Sequence, residues 1–361
     1  MTRPILFSYD IFAHQVYGGI SRYFAELHQG LLARGDTSWI VTGFHVNEYI
    51  RDLPHVVGLQ VPPWKPGTAR VLAARAAAFG LERWVAARAK PRPIYHKTYY
   101  GPERAPAKLP VVVTVYDMIH ELFAHAFPAG DPTRARKKVW CERADLILAI
   151  SQKTKDDVVE ILGTDPAKIV VTPLAFAPVV PSAGTSPGRY FLYVGDRRGY
   201  KNFTRTAQAF ARGTRLDGTS LVCFGGGAFT PDELRLFDEL GIRARVTQTG
   251  GSDADLARWY RDALAFVYPS EYEGFGLPPL EAMAQRCPVI CSTGGSIPEV
   301  CGDAVMYFAP ADVDALAAAM SELADSPAVR TRLSALGIKQ CATYSWARTV
   351  DLTVAAYERL S

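Results

Sequence analysis

The chain has 361 residues, a length that suggests two domains at about 150 residues each. It carries 40 Lys and Arg against 36 Asp and Glu, so its net charge is +4, and 48% of its residues are hydrophobic and 21% charged. These ordinary globular values argue against a disordered chain, a collagen-like fibre and a polyanion-binding tail, and we expect no nucleic-acid partner. The sequence shows neither a signal-peptide pattern nor about 20 consecutive apolar residues, which predicts a cytoplasmic location.

Short apolar runs of strand length alternate with longer helical segments in the first half of the chain. The predicted strands are 4–7, 38–41, 110–115, 146–150 and 169–171, and the predicted helices include 22–32, 133–143 and 152–162. Near-continuous apolar strands separated by helices are typical of a parallel sheet covered on both faces. This half is therefore predicted to be an α/β domain.

Residues 175–188 are rich in Pro, Gly, Ser and Ala, which is typical of a linker. A second alternation follows, with strands 190–194, 221–224, 265–268, 289–291 and 305–308 and helices 202–212, 253–262, 278–285 and 313–323. We predict one doubly wound domain over 1–180 and a second over 181–344. Such folds bind ligands outside the carboxyl ends of their strands, so we expect the site in an interdomain cleft.

The most informative segment follows strand 265–268 and runs Glu-Gly-Phe-Gly-Leu-Pro-Pro-Leu-Glu from Glu273 to Glu281. A glycine-containing loop enters a helix whose first turn holds two prolines, where a missing N–H group costs least. Free N–H groups at this helix start are predicted to bind an anion, and the two carboxylates to accept hydrogen bonds from sugar hydroxyls. The predicted amide donors belong to Gly274, Phe275, Gly276 and Leu277.

The loop after strand 190–194 places three cations within five positions, at Arg197, Arg198 and Lys201. A departing diphosphate gains negative charge, and fixed cations selectively stabilise that state. We assign this role to Arg197 and Lys201.

Three segments near other strand ends supply further candidates. Gly18 and Gly19 open a helix after the first strand, where a backbone without side chains can approach a phosphate closely. Asp117 and His120 follow strand 110–115, where they could orient an acceptor or move a proton; a purely structural role for His120 is the alternative. His96, which ends another short strand, is a lesser acceptor-site candidate.

Two Asp-x-Asp pairs, 253–255 and 312–314, superficially match a metal motif. Both directly precede helical patterns, where aspartate caps exposed N–H groups. No cluster has zinc-like spacing, so we expect no metal and no cofactor. The six cysteines contain no C-x-x-C pair, and we expect buried, reduced thiols.

Glu273 and Glu281, embedded in Glu-Gly-Phe-Gly-Leu, resemble the E-x7-E signature of retaining glycosyltransferases of family 4, which have the GT-B fold. The resemblance implies that an Arg and a Lys in the loop after strand 190–194 hold the donor diphosphate, and either Arg197 or Arg198 can correspond to that Arg. It also implies a glycine-rich first loop near the donor, an acceptor-binding first domain and a nucleotide-sugar-binding second domain. Residues 345–361 are expected to form a helix that crosses back to the first domain.

The motifs look most like those of bacterial O-antigen or exopolysaccharide enzymes of lipopolysaccharide and related pathways, often mannosyltransferases. This implies a retaining, metal-independent hexosyltransferase, with GDP-mannose as the leading donor and a saccharide or polyprenyl-linked acceptor. A sugar-nucleotide epimerase of the same fold and a noncatalytic sugar-nucleotide binder are the alternatives. The basic segments 70–92 and 134–143 could contact anionic lipid of the inner membrane, although arginines scattered around the first segment favour a solvated helix.

Overall fold

A computed structural model describes residues 3–63, 69–102, 105–106, 108–214 and 216–360, with the backbone alone for 69–73. Arg70, from the basic segment 70–92, therefore lies outside the described side chains. The chain divides into two compact units: unit 1 is Met1–Leu174 with Trp346–Ser361, and unit 2 is Ala175–Ser345.

The strands of the described residues are β1 (Ile5–Phe7), β2 (Ser38–His45), β3 (Val56–Gln60), β4 (Ile94–Lys97), β5 (Val111–Val115), β6 (Leu146–Ala149), β7 (Ile169–Val171), β8 (Arg189–Val194), β9 (Thr219–Phe224), β10 (Val246–Thr249), β11 (Ala265–Tyr268), β12 (Val289–Ser292) and β13 (Met306–Phe308). The helices are α1 (Asp10–His14), α2 (Gly19–Ala33), α3 (Ala69–Arg88), α4 (Ile119–Leu122), α5 (Thr133–Arg143), α6 (Gln152–Leu162), α7 (Phe203–Arg212), α8 (Pro231–Glu239), α9 (Asp253–Asp262), α10 (Leu277–Ala284), α11 (Ile297–Cys301), α12 (Val313–Asp325), α13 (Pro327–Cys341) and α14 (Trp346–Glu358). Short 3-10 turns cover Ala124–Ala126, Pro166–Lys168, Gly199–Lys201 and Arg243–Arg245.

Unit 1 is built on a parallel sheet of seven described strands in the order β3-β2-β1-β4-β5-β6-β7. Every residue of β5 and β6 is buried, as expected for strands covered on both faces. The strand order reverses direction between β1 and β4, so the loops that leave these strands diverge at that point. Doubly wound sheets bind ligands at such a switch point.

Helix α14 belongs to unit 1 although the 171 residues of Ala175–Ser345 separate it from the rest of that unit. It packs on α2, where Gly30 allows the close approach: a Cβ added to Gly30 would lie 2.4 Å from Val350 Cγ2. The Thr349 hydroxyl donates to the Pro173 carbonyl oxygen at 2.8 Å, and Arg34 pairs with Asp351.

Unit 2 repeats the architecture with six described strands in the order β10-β9-β8-β11-β12-β13, all parallel. Aromatic residues of β8 and of α7, including Phe191, Phe203 and Phe210, are buried in its core. The switch point of this sheet lies between β8 and β11. The two parallel-sheet units confirm the predicted α/β class.

Two strands and two long helices were missing from the sequence prediction. β3 and β10 each form one edge of their sheet and are only partly buried, and Gly58 in β3 and the polar residues of β10 interrupt the apolar pattern. Helices α8 and α13 begin with prolines that resemble loop signals, yet Pro fits the first turn of a helix.

The capping and cysteine predictions are confirmed. Asp255 forms a capping box with Ser252 at α9, and Asp312 caps α12 by accepting from the Ala315 N–H at 2.9 Å. All six cysteines are buried and free. Among the described residues, no helix combines the length and apolar character needed to cross a bilayer.

Candidate functional site

Two loops leave the switch point of unit 2 side by side. Loop 195–202 follows β8, and loop 269–276 follows the neighbouring strand β11. The Glu271 N–H donates to the Tyr200 carbonyl oxygen at 2.7 Å, which joins the two loops directly. The sheet therefore brings together two of the segments that the sequence singled out.

Lys201 and Glu273 form an ion pair between these loops. Lys201 Nζ lies 2.7 Å from Glu273 Oε1, and the two side chains are 25% and 11% exposed. The Glu273 backbone is held in turn, because its carbonyl oxygen accepts from both the N–H and the hydroxyl of Ser296 at 3.0 Å. The pair is thus fixed in place but partly accessible. A lysine ammonium has three donors, so Lys201 can bind Glu273 and a further anion together.

Helix α10 begins at Leu277, four residues after Glu273. Gly276 precedes the helix with a φ of 109°, a conformation that favours glycine. Pro278 and Pro279 have no N–H group, so the donors at this helix start are confined to Leu277 and the residues before it. Phe275 is buried and packs edge-on against Tyr344 at 5.4 Å, which anchors the loop.

Glu281 lies on α10, half-buried and close to the buried Tyr260 of α9. Burial raises the pKa of Tyr260 well above its ordinary value, and the Glu281 carboxylate raises it further. Tyr268, at the end of β11, behaves similarly, since burial and then the Glu273 carboxylate raise its pKa. Both tyrosines therefore stay protonated and can donate hydrogen bonds.

Arg197 occupies a different setting from the one we expected. Its side chain is 3% exposed, and its Nε donates to Glu233 Oε1 at 2.6 Å. The Nη atoms donate at 3.1–3.2 Å to the carbonyl oxygens of Gly225, Gly227 and Ala228. With these contacts the guanidinium is committed to protein groups. The assignment of Arg197 to the diphosphate therefore stays a prediction that these contacts do not favour.

The residues around Arg197 explain why it is buried there. Three consecutive glycines, 225–227, all have positive φ and wrap the guanidinium, and a Cβ on Gly226 would lie 2.6 Å from Arg197 Nη1. Glu233 belongs to the capping box of α8 with Thr230. Burial alone would raise the pKa of Glu233, but hydrogen bonds from Arg197 and Thr230 outweigh it and lower that pKa.

Arg198 is the exposed arginine of this loop. Its side chain is 86% exposed and pairs with Asp196 at 2.7 Å. The hydrogen bond from Arg198 holds the pKa of Asp196 below its ordinary value. Arg198 is therefore accessible to an anionic ligand, as Arg197 is not.

A segment that no sequence motif singled out, residues 292–296, supports Glu273. Ser292 donates to the Ser270 carbonyl oxygen, and Gly294 and Gly295 pass so close to loop 269–276 that a Cβ on either would lie under 2.5 Å from a backbone oxygen of Glu271 or Glu273. The Gly294-Gly295 pair, three residues after the predicted strand 289–291, was the available signal.

The unit 1 candidates Asp117 and His120 lie together on the turn after β5. Asp117 Oδ1 accepts from the Ile119 N–H at 3.0 Å, and the buried Lys137 binds this turn through the Asp117 carbonyl oxygen at 2.9 Å and Glu121 Oε2 at 2.7 Å. His120 stacks on Phe127 with ring centroids 3.9 Å apart. Burial, followed by the Lys137 charge, lowers the pKa of His120 despite the nearby carboxylates, so its imidazole is neutral at pH 7.

His96 is a fully buried structural residue, which corrects its assignment to an acceptor site. Its Nδ1 lies 2.6 Å from the Tyr357 hydroxyl of α14, and its Nε2 lies 2.8 Å from the Thr114 hydroxyl. Burial lowers the pKa of His96 to about 3. Both ring nitrogens are thus satisfied within the core of unit 1.

Gly18 and Gly19 stand at the start of α2, as expected. A Cβ on Gly18 would collide with the Gln15 side chain at 2.3 Å, whereas a Cβ on Gly19 would meet nothing within 4 Å. Gly19 is exposed, so the space beside it is open. In the described part of the chain, no group of three His, Cys, Asp or Glu residues is arranged to hold a metal ion.

Residues 17–176 match the family model described as Glycosyltransferase Family 4, and residues 183–340 match Glycosyl transferases group 1. The chain is 32% identical over 283 residues to O-antigen chain mannosyltransferase B of Escherichia coli, covering 73% of this chain and 74% of the relative. It is 41% identical over 130 residues to MMP alpha-(1->4)-mannosyltransferase of Mycolicibacterium hassiacum, covering 35% and 32% of the two chains.

The fold is similar to that of solved glycosyltransferase structures. The sucrose-phosphate synthase from Thermosynechococcus elongatus superposes with a TM-score of 0.74 at 21% identity, covering 99% of both chains. The resemblance predicted from Glu273 and Glu281 is confirmed: the chain belongs to glycosyltransferase family 4 and is a glycosyltransferase with the GT-B fold.

Proposed function

We propose that this protein is a retaining mannosyltransferase that moves mannose from GDP-mannose to a saccharide or polyprenyl-linked acceptor in O-antigen-type polysaccharide synthesis. The observation that carries the proposal is the Lys201–Glu273 pair at the switch point of unit 2, where a cation and a carboxylate stand 2.7 Å apart. The choice of mannose rests on two relatives whose names state mannosyl transfer.

The donor groups follow from what each side chain can bind. Lys201 and the exposed Arg198 neutralise the diphosphate, and Arg198 takes the place first assigned to Arg197. N–H groups at residues 274–277 add donors at the α10 N-terminus. Glu273 and Glu281 accept hydrogen bonds from sugar and ribose hydroxyls. Phosphate groups bind elsewhere, because a carboxylate and a phosphate are both acceptors and neither donates to the other. Gly18 and Gly19 of unit 1 contact the donor through their backbone atoms, since they have no side chain.

The acceptor groups are Asp117 and His120. Asp117 is partly exposed, and the neutral His120 imidazole can accept a hydrogen bond from an acceptor hydroxyl at pH 7 and so orient it. The Lys137 contacts hold the turn that carries both residues. The acceptor is therefore proposed to bind unit 1 beside this turn.

The proposed transfer retains the anomeric configuration without a covalent enzyme intermediate. The bond between the anomeric carbon and the diphosphate oxygen breaks while the acceptor oxygen attacks from the same face. The acceptor proton passes to the departing phosphate, whose negative charge Lys201 and Arg198 stabilise more strongly in the transition state than in the bound donor. No metal is invoked in this step.

We also propose a cytoplasmic location with peripheral contact at the inner membrane through α5. Arg134 and Lys138 are exposed on this helix beside the exposed Val139, and Leu122 of the adjoining α4 is also exposed. Cationic and apolar side chains on one surface suit anionic lipid. Flotation with anionic vesicles at low salt should show binding that Lys138→Glu weakens, and no binding of the wild type would contradict this part.

The main experiment presents a panel of nucleotide sugars, first for thermal stabilisation and then for transfer to lipid-linked and saccharide acceptors. GDP-mannose should stabilise the protein and support transfer, and NMR should show that the product keeps the donor configuration. Lys201→Met and Glu281→Gln should each lower kcat/KM by about 100-fold or more with the melting temperature nearly unchanged. Arg212→Gln, which removes an exposed ion pair elsewhere on α7, is the control. Conversion of donor without acceptor would instead indicate an epimerase, and stabilisation without turnover a binding protein.

A further inference from the structure

Asn202 joins three loops at the carboxyl edge of the unit 2 sheet. It precedes α7 with a φ of 60°, and its side chain is buried. Its Nδ2 donates to the carbonyl oxygens of Pro269 at 3.0 Å and Pro310 at 2.8 Å. These carbonyls follow β11 and β13, so one side-chain amide holds the loops after β8, β11 and β13 together.

Arg205 and Glu271 complete this arrangement. Arg205 Nη1 donates to Asn202 Oδ1 at 2.7 Å and to Glu271 Oε1 at 2.6 Å. The Glu271 N–H also donates to the Tyr200 carbonyl oxygen, which links loop 269–276 back to loop 195–202. We call Asn202, Arg205 and Glu271 the Asn202 cluster.

We infer that the Asn202 cluster positions Lys201 against Glu273 for transfer, an inference that rests on the proposed function of that pair. Lys201 immediately precedes Asn202, and Glu273 lies two residues after Glu271, so the cluster fixes the backbone on both sides of the pair. No cluster member belongs to the proposed donor contacts. Its members therefore act through Lys201 and Glu273 as positioning residues.

The size of the effect follows from the geometry needed for catalysis. Displacing a catalytic group by about 1 Å can cost about 100-fold in rate. Asn202 is buried and contacts two loops, so its loss should displace Lys201 most. Arg205 and Glu271 are partly exposed, and their loss should cost less.

The test uses variants that remove contacts without adding strain. Asn202→Gly deletes the side chain while keeping the positive φ, which glycine tolerates. Arg205→Gln removes the charge from the cluster, and Arg205→Lys keeps it. Arg286→Gly is the matched control for new glycine flexibility, because Arg286 is an exposed residue with a φ of 61°. Arg212→Gln is the control for losing an arginine from α7.

The first measurement needs no sugar nucleotide. The purified proteins are treated with an acylating reagent, and modification of Lys201 is followed by mass spectrometry. Asn202→Gly should react about two- to five-fold faster at Lys201, the factor by which losing a partly exposed ion pair raises the unpaired population. Both controls should react like the wild type. Equal rates in Asn202→Gly and the wild type would overturn the inference.

The second measurement separates positioning from a structural role. Asn202→Gly should lower kcat by about 10- to 100-fold with the acceptor KM unchanged. It should melt a few degrees below Arg286→Gly, because two carbonyl oxygens lose their buried donor, so both variants are assayed well below either melting temperature. Arg205→Lys should retain more activity than Arg205→Gln. A normal kcat in Asn202→Gly, or a loss shared by Arg286→Gly, would overturn the inference. If the wild type transfers no sugar but Lys201 labelling rises as expected, the positioning role stands and the proposed function fails.

Discussion

Replacing Arg197 with Met tests whether this arginine holds the protein together or binds the donor. The substitution removes a guanidinium that is 3% exposed and leaves Glu233, which is 17% exposed, without its cation. It also leaves three backbone carbonyl oxygens in the 225–228 loop without their donor. Removing one partner of a buried ion pair costs about 3–5 kcal/mol.

Because Glu233 keeps some contact with water, we expect the lower end, about 3 kcal/mol of unfolding free energy. For a unit the size of Ala175–Ser345, this lowers the melting temperature by about 6–12 °C. Differential scanning calorimetry of Arg197→Met, with the exposed Arg198→Met as the matched control, measures the difference. Arg198→Met should melt like the wild type and lose donor affinity.

The pH dependence gives a second readout for the same pair. Hydrogen bonds from Arg197 and Thr230 outweigh burial and hold the pKa of Glu233 below the ordinary value of 4.5. The stabilisation from this pair is therefore fully present above about pH 4.5 and is lost as the pH falls through the native pKa. The difference in unfolding free energy between Arg197→Met and the wild type should become smaller below pH 4.5. An Arg197→Met protein with wild-type stability at pH 7 and no transfer activity would refute the reasoning and return Arg197 to the donor site.

Three further predictions concern the histidines and the first glycine loop. Burial lowers the pKa of His96 to about 3, so below pH 6.5 the unfolded chain binds a proton that the native state excludes. The free energy of unfolding should therefore rise with pH between about 3 and 6.5, by up to about 1.4 kcal/mol per pH unit. His96→Gln should reduce that slope in urea titrations, and equal slopes in the variant and the wild type would contradict this prediction. Burial and Lys137 lower the pKa of His120, so the acid limb of the pH profile of kcat/KM should lie below pH 6.5. Phe127→Ala, which exposes the imidazole ring, should move that limb to higher pH, and an unmoved limb would contradict a role for this imidazole. Gly19→Ala meets no atom within 4 Å and should leave the melting temperature unchanged or slightly higher while raising the donor KM, whereas an unchanged KM would remove Gly19 from the donor site.

The central strands could be predicted because both of their faces are covered. β5 and β6 are near-continuous apolar runs, and such runs indicate a buried parallel strand. The edge strands β3 and β10 are only partly buried, and Gly58 in β3 and the polar residues of β10 interrupt their apolar pattern. Periodicity therefore identified the strands with unbroken apolar runs, including the edge strands β7 and β13, and missed β3 and β10.

The local structure of the candidate site could be predicted where it depends on backbone motifs, and not where it depends on contacts across the fold. Glycines, prolines and glutamates at fixed spacing located the α10 start and its neighbour Lys201. Nothing local distinguishes Arg197 from Arg198, because the partner of Arg197 lies 36 residues away on α8. His96 was misassigned for the same reason, since its Tyr357 partner is 261 residues distant.

The assignment of α14 to unit 1 has a consequence for biosynthesis. A ribosome completes Ala175–Ser345 before it makes Trp346–Glu358, so unit 2 can fold while unit 1 still lacks its last helix. Until that helix is made, the face of α2 around Gly30 lacks its contact with Val350, and His96 lacks the Tyr357 hydroxyl. The earliest-made half of the molecule is thus the last to be finished, and nascent chains stalled before residue 346 should offer that apolar face to chaperones.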